Sequence, residues 1–261
     1  MQMKDPCIVH KMGFVPYEEA WNLQSRWAEE IAVGVRPPTL MLLEHPHTFT
    51  FGRRGKSENL LWDEEQRESR GISVYWVDRG GDVTYHGPGQ LVGYPLLPLA
   101  PGGLSYRKHN AHHNNIKGRL PQADYIGYMR KLETIIILAL SRLGVISAQM
   151  NGLTGVWVQP HVPSRCTNCP PELKQPPAKI AAIGLKVDVN GISRHGFALN
   201  VNPDMSFWDG IVGCGLADHP AASIADMLLQ PPSIDQVSNE IVSAFGRILN
   251  YEMVDAKEVF K

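Results

Sequence analysis

Two side chains in this 261-residue chain have the clearest capacity for covalent chemistry, Cys214 and Lys179. Cys214 lies in Ile211-Val-Gly-Cys-Gly-Leu216, where flanking glycines strip bulk from around the sulfur and leave it approachable. A thiol with a pKa near 8.5 is mostly protonated at neutral pH, and a neighbouring cation raises its thiolate fraction. Lys179 opens the otherwise apolar run Lys-Ile-Ala-Ala-Ile-Gly184, where a charge needs a reason. Lys186 is the competing cation, but its place after Gly184 in the same run fits an outward-facing position. A third concentration is Arg79-Gly-Gly-Asp-Val-Thr-Tyr-His-Gly-Pro-Gly-Gln90, with four glycines and a proline in twelve residues. Glycine permits positive φ and close approach of backbone to a ligand. The polar density of Arg79, Asp82, Thr84, Tyr85, His86 and Gln90 exceeds what a turn needs. The stretch reads as one long shaped loop between two strands.

Other chemistries find little support. There is no Gly-x-x-x-x-Gly-Lys-[Ser/Thr] phosphate loop, no Gly-x-Gly-x-x-Gly after a strand and no Gly-x-Ser-x-Gly elbow. A net charge of −1 gives no argument for nucleic acid or an anionic membrane. The apolar run Ile135–Leu140 is far too short to span a bilayer. Four cysteines suggest no disulfide framework, so a reducing cytoplasm is expected. Cys166-x-x-Cys169 with His161 is half of a zinc pattern, and His109, His112 and His113 are candidates for a fourth ligand. Against zinc stand the missing second pair and six prolines within residues 160–177. No metal is expected, and residues 160–177 read as an exposed, irregular insertion, as do residues 102–122.

The elements that must position these residues follow from periodicity. Ala20, Leu23, Trp27 and Ile31 mark a helix over Tyr17–Ala32, and Met129, Leu132, Ile136, Leu140 and Leu143 mark one over Asp124–Leu143. Val237, Ile241, Phe245 and Ile248 mark a last helix, and a polar one is expected over Asp63–Arg70. Ser223–Asp226 and Ser233–Gln236 both fit a capping box. Strands are expected at Thr39–Glu44, Thr48–Phe51, Ile72–Val77, Leu91–Leu97, Gly155–Val158, Lys179–Val189 and His195–Val201. Helices therefore flank a group of strands, which predicts one α/β domain of 1–261 with a central mixed sheet.

The Arg79–Gln90 stretch resembles the signature of the lipoyl (octanoyl) transferase family. Glu44-His-Pro with Thr50-Phe-Gly-Arg53, Thr154-Gly-Val-Trp157, Lys179–Gly184, His195-Gly-Phe-Ala-Leu-Asn200 and Cys214-Gly-Leu216 are similar to that family's other blocks, in the family's order. The resemblance implies a fold like that of biotin and lipoate protein ligases. It implies an enzyme without cofactor that moves octanoyl from octanoyl-acyl carrier protein to a lysine of lipoyl domains, those of 2-oxoacid dehydrogenase E2 subunits and of glycine cleavage H protein. It implies Cys214 as the acylated nucleophile, with Lys179 lowering its pKa. Substrate contacts are implied at Arg79, Gly80, Gly81, Asp82, Val83, Thr84, Tyr85, His86, Ala182, Ile183, Gly184, Gly196, Phe197 and Ala198. Small residues such as Ala182, Gly184, Gly196 and Ala198 would leave room for an acyl chain. A monomer is expected. The chain departs from the family pattern at Gly213, where proline is frequent, and in the two long insertions. The alternative is an ATP-dependent lipoate or biotin ligase, which needs no cysteine; a module that only binds the carrier proteins is the non-catalytic rival.

Overall fold

The computed structural model describes residues 4–99, 124–160, 174–215 and 218–259. Residues 102–122 and most of 160–177, with all the zinc candidates named above, lie outside them. Ten strands are placed: β1 (Asp5–Phe14), β2 (Thr39–Glu44), β3 (Thr48–Phe51), β4 (Ser73–Trp76), β5 (Val83–His86), β6 (Gln90–Leu96), β7 (Val156–Val158), β8 (Ala178–Val187), β9 (Ser193–Asn200) and β10 (Tyr251–Asp255). The longer helices are α1 (Tyr17–Ala32), α2 (Glu64–Ser69), α3 (Tyr125–Arg142) and α4 (Ile234–Leu249).

The main sheet runs β10-β1-β2-β6-β9-β8-β7. It is mixed: β1 is parallel to both β10 and β2, and the pairs from β2 onward are antiparallel. Helices α3 and α4 cover one face through Leu132, Ile136, Leu140, Ile241 and Phe245. Helix α1 covers the other through Ala20, Trp27 and Ile31, packed on Met41, Leu43, Tyr94 and Ala198. Each such large side chain, fully buried, contributes about 1.5–3 kcal/mol. The expected central mixed sheet flanked by helices is the observed architecture. Among the described residues no helix is long and apolar enough to cross a membrane.

The structure departs from expectation in several places. Arg79–Gln90 is not one loop: it contains β5, which joins β3 and β4 in a separate sheet ordered β4-β3-β5. Val83–His86 is buried at all four positions and flanked by glycines, so no alternation marks it as a strand. β1 and β10 were also unexpected. β1 buries Cys7, Ile8 and Val9 in succession, as a strand covered on both faces does, so it lacks alternation. Ser223 and Asp226 do exchange capping hydrogen bonds, but only a single turn follows before Pro231-Pro232. Ser233 does begin a helix, with Gln236 N–H donating to its hydroxyl at 3.2 Å.

Candidate active site

The signature residues are inside the protein. Arg79 and His86 are 7% and 6% exposed, not displayed on a loop surface. Arg79 Nη2 donates to the Thr50 carbonyl at 2.5 Å and to Thr50 Oγ1 at 2.9 Å, and its Nη1 donates to the Gly80 carbonyl at 3.0 Å. Thr50 Oγ1 lies 3.4 Å from His86 Nε2, and His86 Nδ1 lies 2.9 Å from Gln90 Oε1. Gln90 Nε2 donates to Asn200 Oδ1 at 2.8 Å, and Asn200 Nδ2 donates to the Ala222 carbonyl at 2.9 Å. Ala222 N–H in turn donates to the Lys179 carbonyl at 2.9 Å. One hydrogen-bonded path therefore runs from the signature stretch to the backbone of Lys179. Every side chain in it is buried, and buried polar groups left unpaired are costly, so the path fixes these strands in register.

Because Gln90 uses its NH2 as donor, Oε1 must accept, and His86 carries its proton on Nδ1. Burial holds its pKa well below the usual imidazole value, so the ring is neutral. His45 is likewise neutral: Nδ1–H donates to the Val15 carbonyl at 2.7 Å, Nε2 accepts from the Tyr94 hydroxyl at 2.7 Å, and burial pushes its pKa down to about 4. Thr84 Oγ1 is buried with no hydrogen-bond partner among the described residues.

Lys179 is half-buried at the start of β8, and its ammonium sits 4.8 Å from the centre of the Trp157 ring, a cation–π contact. Gly155 makes room for it, since a Cβ there would stand 2.6 Å from the Ala181 carbonyl oxygen and 3.4 Å from Lys179 Cε. The buried carboxylate of Glu133, on α3, accepts from Gly155 N–H at 2.9 Å and holds this corner. Lys179 lines a cavity of ≈ 460 Å3 together with Leu61, Trp208, Ile211, Gly213 and His219. That volume lies in the range of about 300–1,000 Å3 usual for small-ligand sites. Gly213 is the residue before Cys214, so the cavity brings the cysteine segment and Lys179 together. Cys214 occupies a one-turn 3-10 segment, Gly213–Gly215. By contrast Cys7 is buried in the core and burial pushes its thiol up to about 12, which makes it inert.

Asp82 ties the signature to the cysteine segment. Its carboxylate accepts from Asn59 Nδ2 at 2.5 Å and from the backbone N–H of Val83 at 2.7 Å and Lys56 at 3.2 Å. The Asn59 carbonyl accepts from Val212 N–H at 2.9 Å, and a Cβ on Gly215 would lie 2.9 Å from Asp82 Oδ2. The slot expected from small residues is filled by protein at two positions. At Gly184 the space holds Arg79 and Gly80, and at Gly196 it holds the β6 backbone, with Gly93 O only 2.0 Å from a Cβ. Phe197 and Ile183 face the α3–α4 core, whereas Ala198 faces α1 and pairs across the ladder with half-buried Ala182.

Asp78, Arg194 and His219 escaped the sequence reading. Asp78, one residue before Arg79, accepts from Arg194 Nη2 at 2.8 Å, lies 2.7 Å from His195 Nε2, and is ion-paired with Lys186. These partners hold its carboxyl below the usual range. Lys186 is thus an anchor rather than a solvent-facing lysine. Successive strand residues normally point to opposite faces; His195, at φ 56, breaks that rule, and both Arg194 and His195 reach Asp78. His219 lines the cavity beside Lys179, with its ring edge-on to Trp157 at 5.1 Å. Its one sequence signal was a histidine five residues after Cys214.

Residues 16–246 match the lipoyl protein ligase A/B catalytic domain model. An octanoyltransferase of Chloroflexus aurantiacus is 36% identical over 244 residues, 94% of each chain. One of Rubrobacter xylanophilus is 38% identical over 238 residues, 91% of this chain and 90% of that one. In structure, the bi-partite lipoate protein ligase of Thermoplasma acidophilum superposes with a TM-score of 0.61 at 16% identity, over 99% of this chain and 90% of that one. Lipoate-protein ligase A bound with ATP gives 0.59 at 16%, over 98% and 92%. At such identities these two structures speak for the fold alone.

Proposed function

We propose, for a chain that belongs to the lipoyl protein ligase A/B catalytic-domain family, that it transfers octanoyl from octanoyl-acyl carrier protein to a lysine of lipoyl domains through a thioester on Cys214. The chain is an octanoyltransferase, an enzyme of protein lipoylation. The observation that carries the cysteine mechanism is the single cavity lined by both Lys179 and the residue preceding Cys214.

The steps follow from that juxtaposition. With Lys179 as the ammonium, Cys214 is held as its thiolate, and the thiolate attacks the carbonyl carbon of the donor thioester. The carbon–sulfur bond to the carrier breaks, and the departing thiolate takes a proton from Lys179. The acceptor lysine, as its free amine, then attacks the new thioester. An amide forms, the amine proton passes to Lys179, and the Cys214 sulfur leaves. Thioester exchange is nearly balanced and amide formation is downhill, so the sequence needs no nucleotide. Backbone N–H groups around the glycine-flanked turn are candidates to hold the tetrahedral oxyanion. The unpartnered Thr84 hydroxyl supports a substrate-facing role for its strand. The acceptors are the lipoyl domains of 2-oxoacid dehydrogenase E2 subunits and of glycine cleavage H protein. The enzyme works as a cytoplasmic monomer whose 261 residues form one catalytic domain.

The test is intact mass spectrometry after mixing the protein with octanoyl-carrier protein and no nucleotide, followed by peptide mapping. One octanoyl group on Cys214 is expected. Lys179→Ala is expected to slow loading by about 100-fold or more, as loss of a proton-transfer group does. Loading only with ATP, or at another residue, would overturn the mechanism in favour of an adenylating ligase.

A further inference from the structure

The turn after β3 reads Gly52-Arg-Arg-Gly-Lys56, and it presents Arg53, Arg54 and Lys56 exposed to solvent. Among the described residues neither arginine has an ion-pair or hydrogen-bond partner for its side chain. Lys56 reaches only Glu58, at 3.6 Å, with both side chains exposed. Unspent charge on a flexible loop means little. This turn is not flexible in that sense, because the backbone N–H groups of Gly52, Arg53, Arg54 and Lys56 are bonded to the signature stretch and that of Gly55 closes the turn on the Gly52 carbonyl. Gly52 N–H donates to the Asp82 carbonyl at 3.1 Å, Arg53 N–H to the Arg79 carbonyl at 2.9 Å, and Arg54 N–H to the Gly81 carbonyl at 3.0 Å. Lys56 N–H donates to the Asp82 carboxylate at 3.2 Å. Gly52 is required for this fit, since a Cβ there would stand 2.4 Å from Gly81 O.

The turn also leads directly to the cavity. The same Asp82 carboxylate holds Asn59, which pairs with Val212 two residues before Cys214. Leu61, five residues after Lys56, lines the cavity and donates its N–H to the Gly210 carbonyl at 2.8 Å. Exposed Asp209 lines the same cavity. The surface near the mouth therefore carries a rigid cationic element on the Arg53 side and an anionic group at Asp209.

We propose that Arg53, Arg54 and Lys56 form the docking surface for the acidic face of the protein that donates the acyl group. The proposal rests on the octanoyl-transfer reading above. Charge selects the donor over the acceptor. The acceptor brings a lysine that is an ammonium in solution, which three cations on a held backbone repel and Asp209 attracts. The donor's thioester is neutral, so cations near the mouth carry no penalty for it and favour a donor whose surrounding face is acidic. Surface charges of this kind act mainly on encounter rate and are screened by salt.

The experiment measures octanoyl loading and transfer by the full chain and by Arg53→Glu/Arg54→Glu. These side chains are exposed and make no described contact, so the fold is unaffected, which a thermal melt checks. With octanoyl-carrier protein as donor at low salt, KM rises about tenfold or more in the variant, while kcat and the KM for the lipoyl-domain acceptor stay within about twofold. Salt raises the wild-type KM and leaves the variant's nearly flat. Octanoyl-pantetheine, which has no phosphate, and octanoyl-coenzyme A serve as the small donors, and the variant uses both as well as wild type does. An unchanged KM for the carrier, or a rise confined to the acceptor, overturns the proposal. An equal rise for octanoyl-coenzyme A overturns it in favour of phosphate recognition. If wild type accepts octanoyl from no donor, the octanoyl-transfer reading itself fails; normal wild-type transfer with an unaffected variant removes only the docking surface.

Discussion

His45, His86 and His195 are buried, which disfavours their charged forms, and sensitivity to mild acid is the expected result. Burial lowers the pKa of His45 to about 4, with shifts in the same direction at His86 and His195. In the unfolded chain each titrates near 6.5. Above that value neither state binds the proton, and stability is unaffected. As pH falls from 6.5 toward 4, the unfolded chain takes up protons that the folded chain refuses, so unfolding is favoured. His45 alone accounts for a loss of about 3 kcal/mol across that window. Urea unfolding at a series of pH values should show it, and His45→Gln, which keeps a hydrogen-bonding side chain, should flatten the slope. A stability constant between pH 6.5 and 4.5 would contradict the neutral assignment. Asp78 acts in a separate window, since its lowered pKa adds stability that is lost only near and below pH 4. At this scale Cys214, Lys179 and the signature stretch stand out in the sequence as candidates, because reactive side chains among glycines and apolar residues are out of place. Asp78 was not legible. A carboxylate at a strand end looks like any surface acid until the fold brings Lys186, Arg194 and His195 around it.

Among the elements, the longer helices were read within a residue or two, since burial on one face imposes a period of 3.6. The predicted Tyr17–Ala32 helix is observed with the same bounds, and α3 is the predicted one less its two capping residues. Short strands were read where apolar residues alternate or cluster, as at β3 and β7, but not at β5. β5 has four residues, and its identity comes from pairing with β3, a tertiary fact. The small residues of β8 and β9 were taken for substrate space, yet Gly196 admits the β6 backbone and Gly184 admits Arg79 and Gly80. Gly196→Ala tests this. Its methyl group would collide with the Gly93 carbonyl, backbone that cannot rotate away, and would pry β6 from β9. A loss of about 3 kcal/mol or more is expected in chemical denaturation, at the severe end for a single added methyl. Gly144→Ala is the control: its φ is 84, but nothing lies within 4 Å, so only backbone strain of about 1–2 kcal/mol applies. Equal effects of the two substitutions would contradict the packing argument.

At the scale of the whole molecule, the β10–β1 edge closes the main sheet with residues from both ends of the sequence. Met253 packs under Gly246, where a Cβ would stand 2.7 Å from its Cγ, and Asn250 turns the chain out of α4 at φ 60. Ending the chain at Asn250 removes β10, bares the outer edge of β1 and deprives α4 of Met253. The truncated protein should lose about 3 kcal/mol or more and associate through the unpaired strand, as light scattering would report. An unaltered denaturation midpoint and a monodisperse monomer would contradict that role.

The same edge sets a timetable for synthesis. Asp5 is aligned with Tyr251, so nearly the whole sequence must be translated before the first strand can meet its outer neighbour. At roughly 10 residues per second the ribosome needs on the order of tens of seconds to cover that interval. Throughout it, Cys7, Ile8 and Val9 can be covered on the β2 side, but their outward N–H and C=O groups have no strand to bond. The nascent chain therefore carries an open, apolar template until residues 251–255 arrive, and a factor that shields that strand in the meantime is expected to raise its yield.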